Sequence, residues 1–294
     1  MTYRENYERW LASDKVDEAT KAELRAIADN DEEIEFRFIK DLEFGTGGLR
    51  GTMVAGTNAM NVYTVAHATQ GLADLINKEG EAAMGVAVGC DSRNNSRLFA
   101  ETAACVLAAN GIKVHLFRGI RPTPVLSFAV RELKCIAGIN ITASHNPKQY
   151  NGYKAYWEDG AQLPPDHAKT VSEFIAAADI FDDVKQMKLE DALASGIVEY
   201  IPDEFDEIYL KNVLAEAVNP KVVAEVADDL KIVYTPLHGA GYKLVPEALK
   251  RIGLKHIYPV EEQMVLDGNF PTVDFPNPEY PEVFKLGIEL AERV

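Results

Sequence analysis

Thr142-Ala143-Ser144-His145-Asn146-Pro147, followed by Asn151-Gly152-Tyr153-Lys154, sets one hydroxyl beside an imidazole, with an ammonium group ten positions on. Pro147 has no backbone donor and pushes Asn146 out of helical geometry, so Ser144 is expected on an irregular loop, where reacting side chains are best presented. A hydroxyl, a base and a cation together suit transfer of an electrophilic group onto and off an alcohol. A plainer reading stands beside it, since Ser and Asn in turns commonly bond their own backbone. The glycine-flanked nucleophile elbow of serine hydrolases is absent, because Thr142 and Asn146 occupy its glycine places. On an extended segment adjacent side chains point opposite ways, which predicts that His145 is poorly placed against Ser144.

A second cluster, Gly45-Thr46-Gly47-Gly48-Leu49-Arg50-Gly51, has four glycines in seven residues. Arg50 takes the third glycine place of a dinucleotide fingerprint, and no Gly-Lys-Ser/Thr follows, so neither that motif nor a P-loop is present. The glycines let backbone N–H groups crowd an anion, and Arg50 adds a planar fork suited to phosphate. A plain helix-to-strand connector explains the same residues equally well.

Charge is unevenly distributed. The 294 residues carry a net charge of −16, which argues against nucleic-acid or membrane-surface partners. Between Asp91 and Lys154, however, nine Lys or Arg stand against three acids, whereas residues 155–230 hold 18 acids and five bases. A positive segment inside an acidic protein suits a small anion. Lys113 and Arg131 read as solvated side chains, and nothing in the sequence decides between that role and binding for Arg93 and Arg97.

The elements that must position these residues alternate between helix and strand. Helical turns are expected from about Glu5 to Asp41, and amphipathic helices at 62–78, 97–109, 124–133 and 166–178. Short apolar strands are expected at 85–90, 113–117 and 135–141, the last delivering Ser144 at its carboxyl end, the usual address of ligands in open α/β sheets. Asp159-Gly160 signals a hairpin turn after Trp157. The predicted fold is α/β, a mixed sheet sandwiched by helices, with a complete domain over 1–200 and an incomplete second α/β domain over 201–294. That second unit is read as helix 203–217, strand 230–234, helix 243–252, strand 256–260 and helix 281–293. At 47% hydrophobic and 26% charged the composition is that of a globular protein. The charged opening residues do not read as a secretory signal, and Cys90, Cys105 and Cys135 lack metal-ligand spacing, so reduced core thiols and a cytoplasmic location are expected.

Six segments in order resemble the phosphohexomutase family, the phosphoglucomutases and phosphomannomutases. They are 44–51, Asp91-Ser92-Arg93, Pro122-Thr123-Pro124, the Ser144 loop, Thr235-Pro236-Leu237-His238-Gly239 and Pro276-Asn277-Pro278-Glu279. The helical N-terminal lead resembles the branch of larger phosphoglucomutases and phosphopentomutases. The resemblance implies an intramolecular phosphotransferase acting on a phosphorylated sugar, interconverting 1- and 6-phosphates through a phosphoserine and a sugar bisphosphate. It casts Ser144 as the phosphate carrier. Arg50, His145 and Lys154 become phosphate and substrate contacts, with Lys154 the proton-transfer group, and Asn146 and Asn151 shape the loop. It also implies Mg²⁺ and a glucose 1,6-bisphosphate-type activator. The family's Asp-rich magnesium loop does not occur in these residues. Ser144 would thus supply a single metal ligand through its phosphoryl oxygen, and the Asp ligands are expected in C-terminal domains beyond Val294. A chain of this extent is expected to be the front half of a mutase, inert by itself. The alternative is a sugar-phosphate-binding or assembly module whose serine is never phosphorylated.

Overall fold

The computed structural model describes all residues, Met1–Val294. Six strands form one mixed sheet: β1 Leu49–Thr52, β2 Val86–Cys90, β3 Val114–Phe117, β4 Ala137–Ile141, β5 Tyr150–Trp157 and β6 Val198–Ile201. Their spatial order is β1-β5-β4-β2-β3-β6. β4, β2, β3 and β6 run parallel, while β5 is antiparallel to both β4 and β1. β2 and β4 are buried along their whole length, which explains sequences that are apolar apart from Asn140.

Three short helices lead the chain, α1 Tyr3–Ala12, α2 Glu18–Ala26 and α3 Asp31–Phe38, each opened by a side-chain cap from Thr2, Asp17 or Asn30. Their core is aromatic. Trp10 meets Phe38, Tyr63 and Phe181 edge to face at 5.7, 5.2 and 5.4 Å. Helices α4 Val62–Glu79, α5 Ser96–Ala109, α6 Thr123–Glu132 and α7 Pro165–Ala177 cover the sheet. α4 and α5 contribute to the main apolar cluster of 32 buried residues, which includes Leu72, Phe99 and Ile139. Val125, Leu126 and Val130 of α6 belong to a separate cluster of 12.

The helices therefore form as their periodicity predicts, and so does the turn at Asp159-Gly160, where the Gly160 amide donates to Trp157 O at 2.9 Å. β1, β5 and β6 go beyond the strands expected from sequence. β1 is too short and polar to show an apolar run, β5 mixes aromatic residues with Asn151, Gly152 and Lys154, and β1 finds its place by pairing with β5, far away in the chain. The three cysteines are buried and free, and burial pushes the thiols of Cys90 and Cys135 up to about 12.

After α8 Leu189–Ala194 and β6, helices α9 Phe205–Ala215 and α10 Pro220–Val226 lead to the second unit. There β7 Lys231–Tyr234 pairs in parallel with β8 His256–Pro259 across helix α11 Leu244–Arg251. The short α12 Glu261–Met264 follows, and α13 Lys285–Arg293 closes the chain. Leu244 joins Phe117, Phe205 and Leu210 in the cluster beneath α6, so apolar packing seats this unit on the first sheet. A buried charge cluster reinforces it. Arg121 donates two hydrogen bonds to Asp206, at 2.6 and 2.9 Å, and Lys243 of the second unit donates to the same carboxylate at 2.7 Å.

Both Arg121 and Asp206 are almost fully buried. Asp206→Ala is thus expected to cost about 3–5 kcal/mol in urea unfolding, because it leaves a buried guanidinium with only the exposed Asp203 at 3.3 Å as counter-charge. The pair Arg121→Met with Asp206→Leu is expected to recover most of that loss. A cost near zero for Asp206→Ala would show that the cluster is solvated in solution.

Candidate active site

Ser144 lies on the loop that leaves the carboxyl end of β4, and both Ser144 and His145 are exposed. Its backbone is left-handed, with φ +56°. For a serine this conformation costs on the order of 1 kcal/mol and persists only where the surroundings impose it. Thr142 Oγ1 accepts the Ser144 amide at 3.0 Å, and Ala143 O accepts the Asn146 amide at 3.1 Å. Because the backbone turns here instead of extending, the Ser144 Oγ and His145 Nδ1 atoms approach to 3.3 Å. The expectation that these side chains point apart is therefore overturned, since it assumed extended geometry.

One buried side chain organises this loop. Arg93 donates to the carbonyls of Ser144 at 2.8 Å and Asn146 at 2.6 Å through one nitrogen, and to Pro147 at 3.0 Å and Tyr150 at 3.2 Å through the other. Arg97 serves elsewhere, donating to Glu101 and to the carbonyls of Phe117 and Arg118. The sequence left the two arginines undecided, since accepting carbonyls on a distant loop have no periodic signature. Asn151 is not part of the loop itself. It is buried at the start of β5 and donates to Asn94 O at 3.0 Å and Ser96 Oγ at 2.9 Å.

Arg50 reaches the loop through the antiparallel edge of the sheet, and Lys154 lies on the neighbouring strand. Arg50 on β1 faces Gly152 on β5, and Lys154 on β5 faces Asn140 on β4. Arg50 donates to the Asn146 side chain at 3.2 Å, two residues from Ser144. Gly152 permits this approach, since a Cβ there would lie 2.6 Å from Thr142 O and 2.9 Å from Leu49 O. Lys154 is half-buried. Desolvation, followed by the Arg50 charge, lowers its pKa from the ordinary lysine value, and Asp91 opposes the shift. Asp91 follows β2 and accepts the Arg93 amide at 2.9 Å and the Ser96 hydroxyl at 2.7 Å. Burial raises its pKa.

The glycine cluster has a structural use. The amides of Gly45 and Gly48 each donate to the other's carbonyl, so they are not free for an anion. Gly48 is left-handed (φ +77°), and a Cβ on it would sit 1.8 Å from Tyr153 O. The cluster is a tight turn that delivers Arg50 to the sheet edge.

An open cavity of about 420 Å³ lies beside Ser144. Asp91, Asn140, Thr142 and Ser144 line it from the first unit, and Thr235, Pro236 and Phe270 from the second. Its size suits a small polar molecule. Asn140 donates to Thr123 Oγ1 at 2.8 Å, while its buried carbonyl oxygen has no partner. Asn140 is a further site residue, and the sequence hid it inside an apolar strand. These residues do not by themselves make a magnesium cage. No group of three or more His, Cys, Asp or Glu gathers anywhere in the chain, and Mg²⁺ demands several oxygen ligands in near-octahedral array.

Comparison with known proteins matches residues 41–180 to the phosphoglucomutase/phosphomannomutase alpha/beta/alpha domain I and residues 207–294 to domain II. The chain belongs to the phosphoglucomutase/phosphomannomutase family. It is 37% identical to a phosphoribomutase of Saccharomyces cerevisiae over 97% of its own length and 48% of that protein's. It is 38% identical to a phosphoglucomutase of Staphylococcus saprophyticus over 86% of its own length and 45% of that protein's. Among solved structures, a Thermus thermophilus protein named provisionally as a phosphomannomutase superposes with a TM-score of 0.69 at 26% identity. That superposition covers 85% of this chain and 52% of the other. The chain thus spans about half the length of the curated relatives it matches.

The turn that delivers Arg50 can be tested by stability in this family member. Gly48→Ala is expected to destabilise the fold by on the order of 3 kcal/mol in chemical denaturation, from left-handed strain plus the clash. Gly47→Ala meets open space and is expected to stay within about 0.5 kcal/mol of the parent. Equal losses at both positions would contradict the role given to Gly48.

Proposed function

We propose that this chain carries the phosphoryl-transfer centre of a phosphosugar mutase, with Ser144 as the carrier of the migrating phosphate. The observation that supports this best is the convergence on one exposed hydroxyl. Arg50 from β1, Arg93 from the loop after β2 and Thr142 just past β4 all bond the loop that presents a strained serine. Hydrolase chemistry gains no comparable support, because phosphate instead of water is what paired cations beside a lone alcohol favour.

In the proposed reaction the bond from Ser144 Oγ to phosphorus breaks as a sugar hydroxyl oxygen forms a new one. The hydroxyl's proton passes through the Lys154 amine to the departing Ser144 Oγ, so the products are a sugar bisphosphate and the free serine hydroxyl. The bisphosphate then turns over. Ser144 Oγ takes the other phosphate, its proton returning through Lys154 to the freed sugar oxygen, so a 1-phosphate and a phosphate on the sugar's terminal carbon interconvert with no net consumption. Arg50 neutralises the equatorial oxygens of the phosphoryl group in flight. His145, 3.3 Å from Oγ, orients the ester and contributes a hydrogen bond to it. A divalent ion would add charge neutralisation when bound, with Ser144 contributing one phosphoryl oxygen among its ligands. The substrate class proposed is a phosphorylated aldose, hexose or pentose, and the remaining domains of a full mutase are proposed as partners of this half.

Phosphopeptide mapping of the protein from its own cells is expected to find phosphate on Ser144. Its absence would favour a binding module without chemistry. Phosphate exchange between a sugar bisphosphate and Ser144 is expected to fall by about 10²–10⁴ in Lys154→Met, the range of a lost general base. Lys154→Arg is expected not to rescue it, since a guanidinium does not deprotonate. The base acts as the neutral amine, so exchange rises as pH rises through the folded pKa of Lys154. That rise is expected below the ordinary lysine value of 10.5. Parental exchange in Lys154→Met would refute the assignment.

A further inference from the structure

Arg93 reaches the Ser144 loop from one side and is covered from the other by the second unit. Its guanidinium carbon lies 5.2 Å from the centroid of the Phe270 ring, and both side chains are almost fully buried. Phe270 is itself left-handed, with φ +50°. The loop that carries it, 267–270, sits backbone to backbone on the turn that carries Arg93. A Cβ on Gly268 would lie 2.4 Å from the Asn94 amide nitrogen and 2.9 Å from the Arg93 carbonyl carbon. Asn94 also donates its side-chain amide to Asn269 Oδ1 at 3.0 Å. On its inner side the same turn accepts from Asn151, which lies near the start of the strand carrying Lys154.

We infer that Arg93 is the positioning residue that holds Ser144 in its left-handed conformation, and that loop 267–270 of the second unit holds Arg93 in place. The physical reason is the fork. A guanidinium offers five donors in a fixed plane, so one side chain can satisfy four carbonyls at once, which a lysine cannot do. Its Nε makes no hydrogen bond and faces Asp91 Oδ2 at 3.5 Å, so the carboxylate balances the charge without dictating the plane. The Phe270 face then closes the remaining side and excludes water from a buried cation. Seating of the second unit is thereby coupled to the geometry of the serine. The catalytic meaning of this coupling rests on the phosphoserine reading above, whereas the mechanical coupling does not.

Hydrogen exchange on the intact chain separates the two. The reporters are the amides of Ser144, Asn146 and Tyr150, bonded to Thr142 Oγ1, Ala143 O and Pro147 O. In Arg93→Lys they are expected to exchange more than tenfold faster, the least that losing charge-assisted hydrogen bonds should produce. The amides of β2 and β4 are expected to keep their parental rates. Gly268→Ala, which touches none of the three reporters, is expected to accelerate the same amides while β2 and β4 again stay protected. Parental reporter rates in Gly268→Ala overturn the coupling, and parental rates in Arg93→Lys overturn the anchoring. Should Arg93→Lys also expose β4, Gly268→Ala decides. Phosphate on Ser144 is mapped in parent protein taken from its own cells. Absence of that phosphate beside the expected exchange pattern sinks the phosphoserine reading and leaves the positioning intact.

Discussion

Arg93 commits its guanidinium to four backbone carbonyls of the Ser144 loop, and the rest of the site is arranged around that buried fork. Carbonyls on a loop ordinarily face water. Here they converge, so the loop cannot relax into a more comfortable backbone and Ser144 keeps its positive φ. The strain presents Oγ outward beside His145 and leaves Asn146 turned toward Arg50.

The sheet supplies what the loop lacks. Four parallel strands place their carboxyl ends in the usual ligand-facing row, but parallel strands alone would leave the row short of cations. The antiparallel strands β5 and β1 bring Lys154 beside Asn140 and Arg50 onto the Ser144 loop from positions far apart in sequence. Two glycines permit this closeness, Gly152 beneath Thr142 and Gly48 beneath Tyr153. Desolvation, together with the proximity of the two cations, keeps the Lys154 amine below its ordinary pKa.

Much of this was readable in the residues. The apolar periodicity of α4, α5 and β2 depends on local burial and survives without tertiary knowledge. The Ser144 loop announced itself through Pro147 and the strand before it. What escaped is non-local. β5 looked like a polar motif because its hydrogen bonds come from β1 and β4 on either side. Asn140 passed unremarked inside a strand read as apolar. The role of Arg93 depends on carbonyl oxygens, which leave no trace in side-chain pattern. The approach of His145 to Ser144 was missed because sequence carries no sign of a serine forced to positive φ.

A phosphate ester at Ser144 held by cations is tested directly by ³¹P NMR, across pH, of the protein taken from its own cells. The predicted result is a single monoester resonance that disappears in Ser144→Ala. Its titration should fall below the usual second phosphate pKa of about 6, because Arg50 and Lys154 favour the dianion. A resonance titrating at the ordinary value, or surviving in Ser144→Ala, would contradict it.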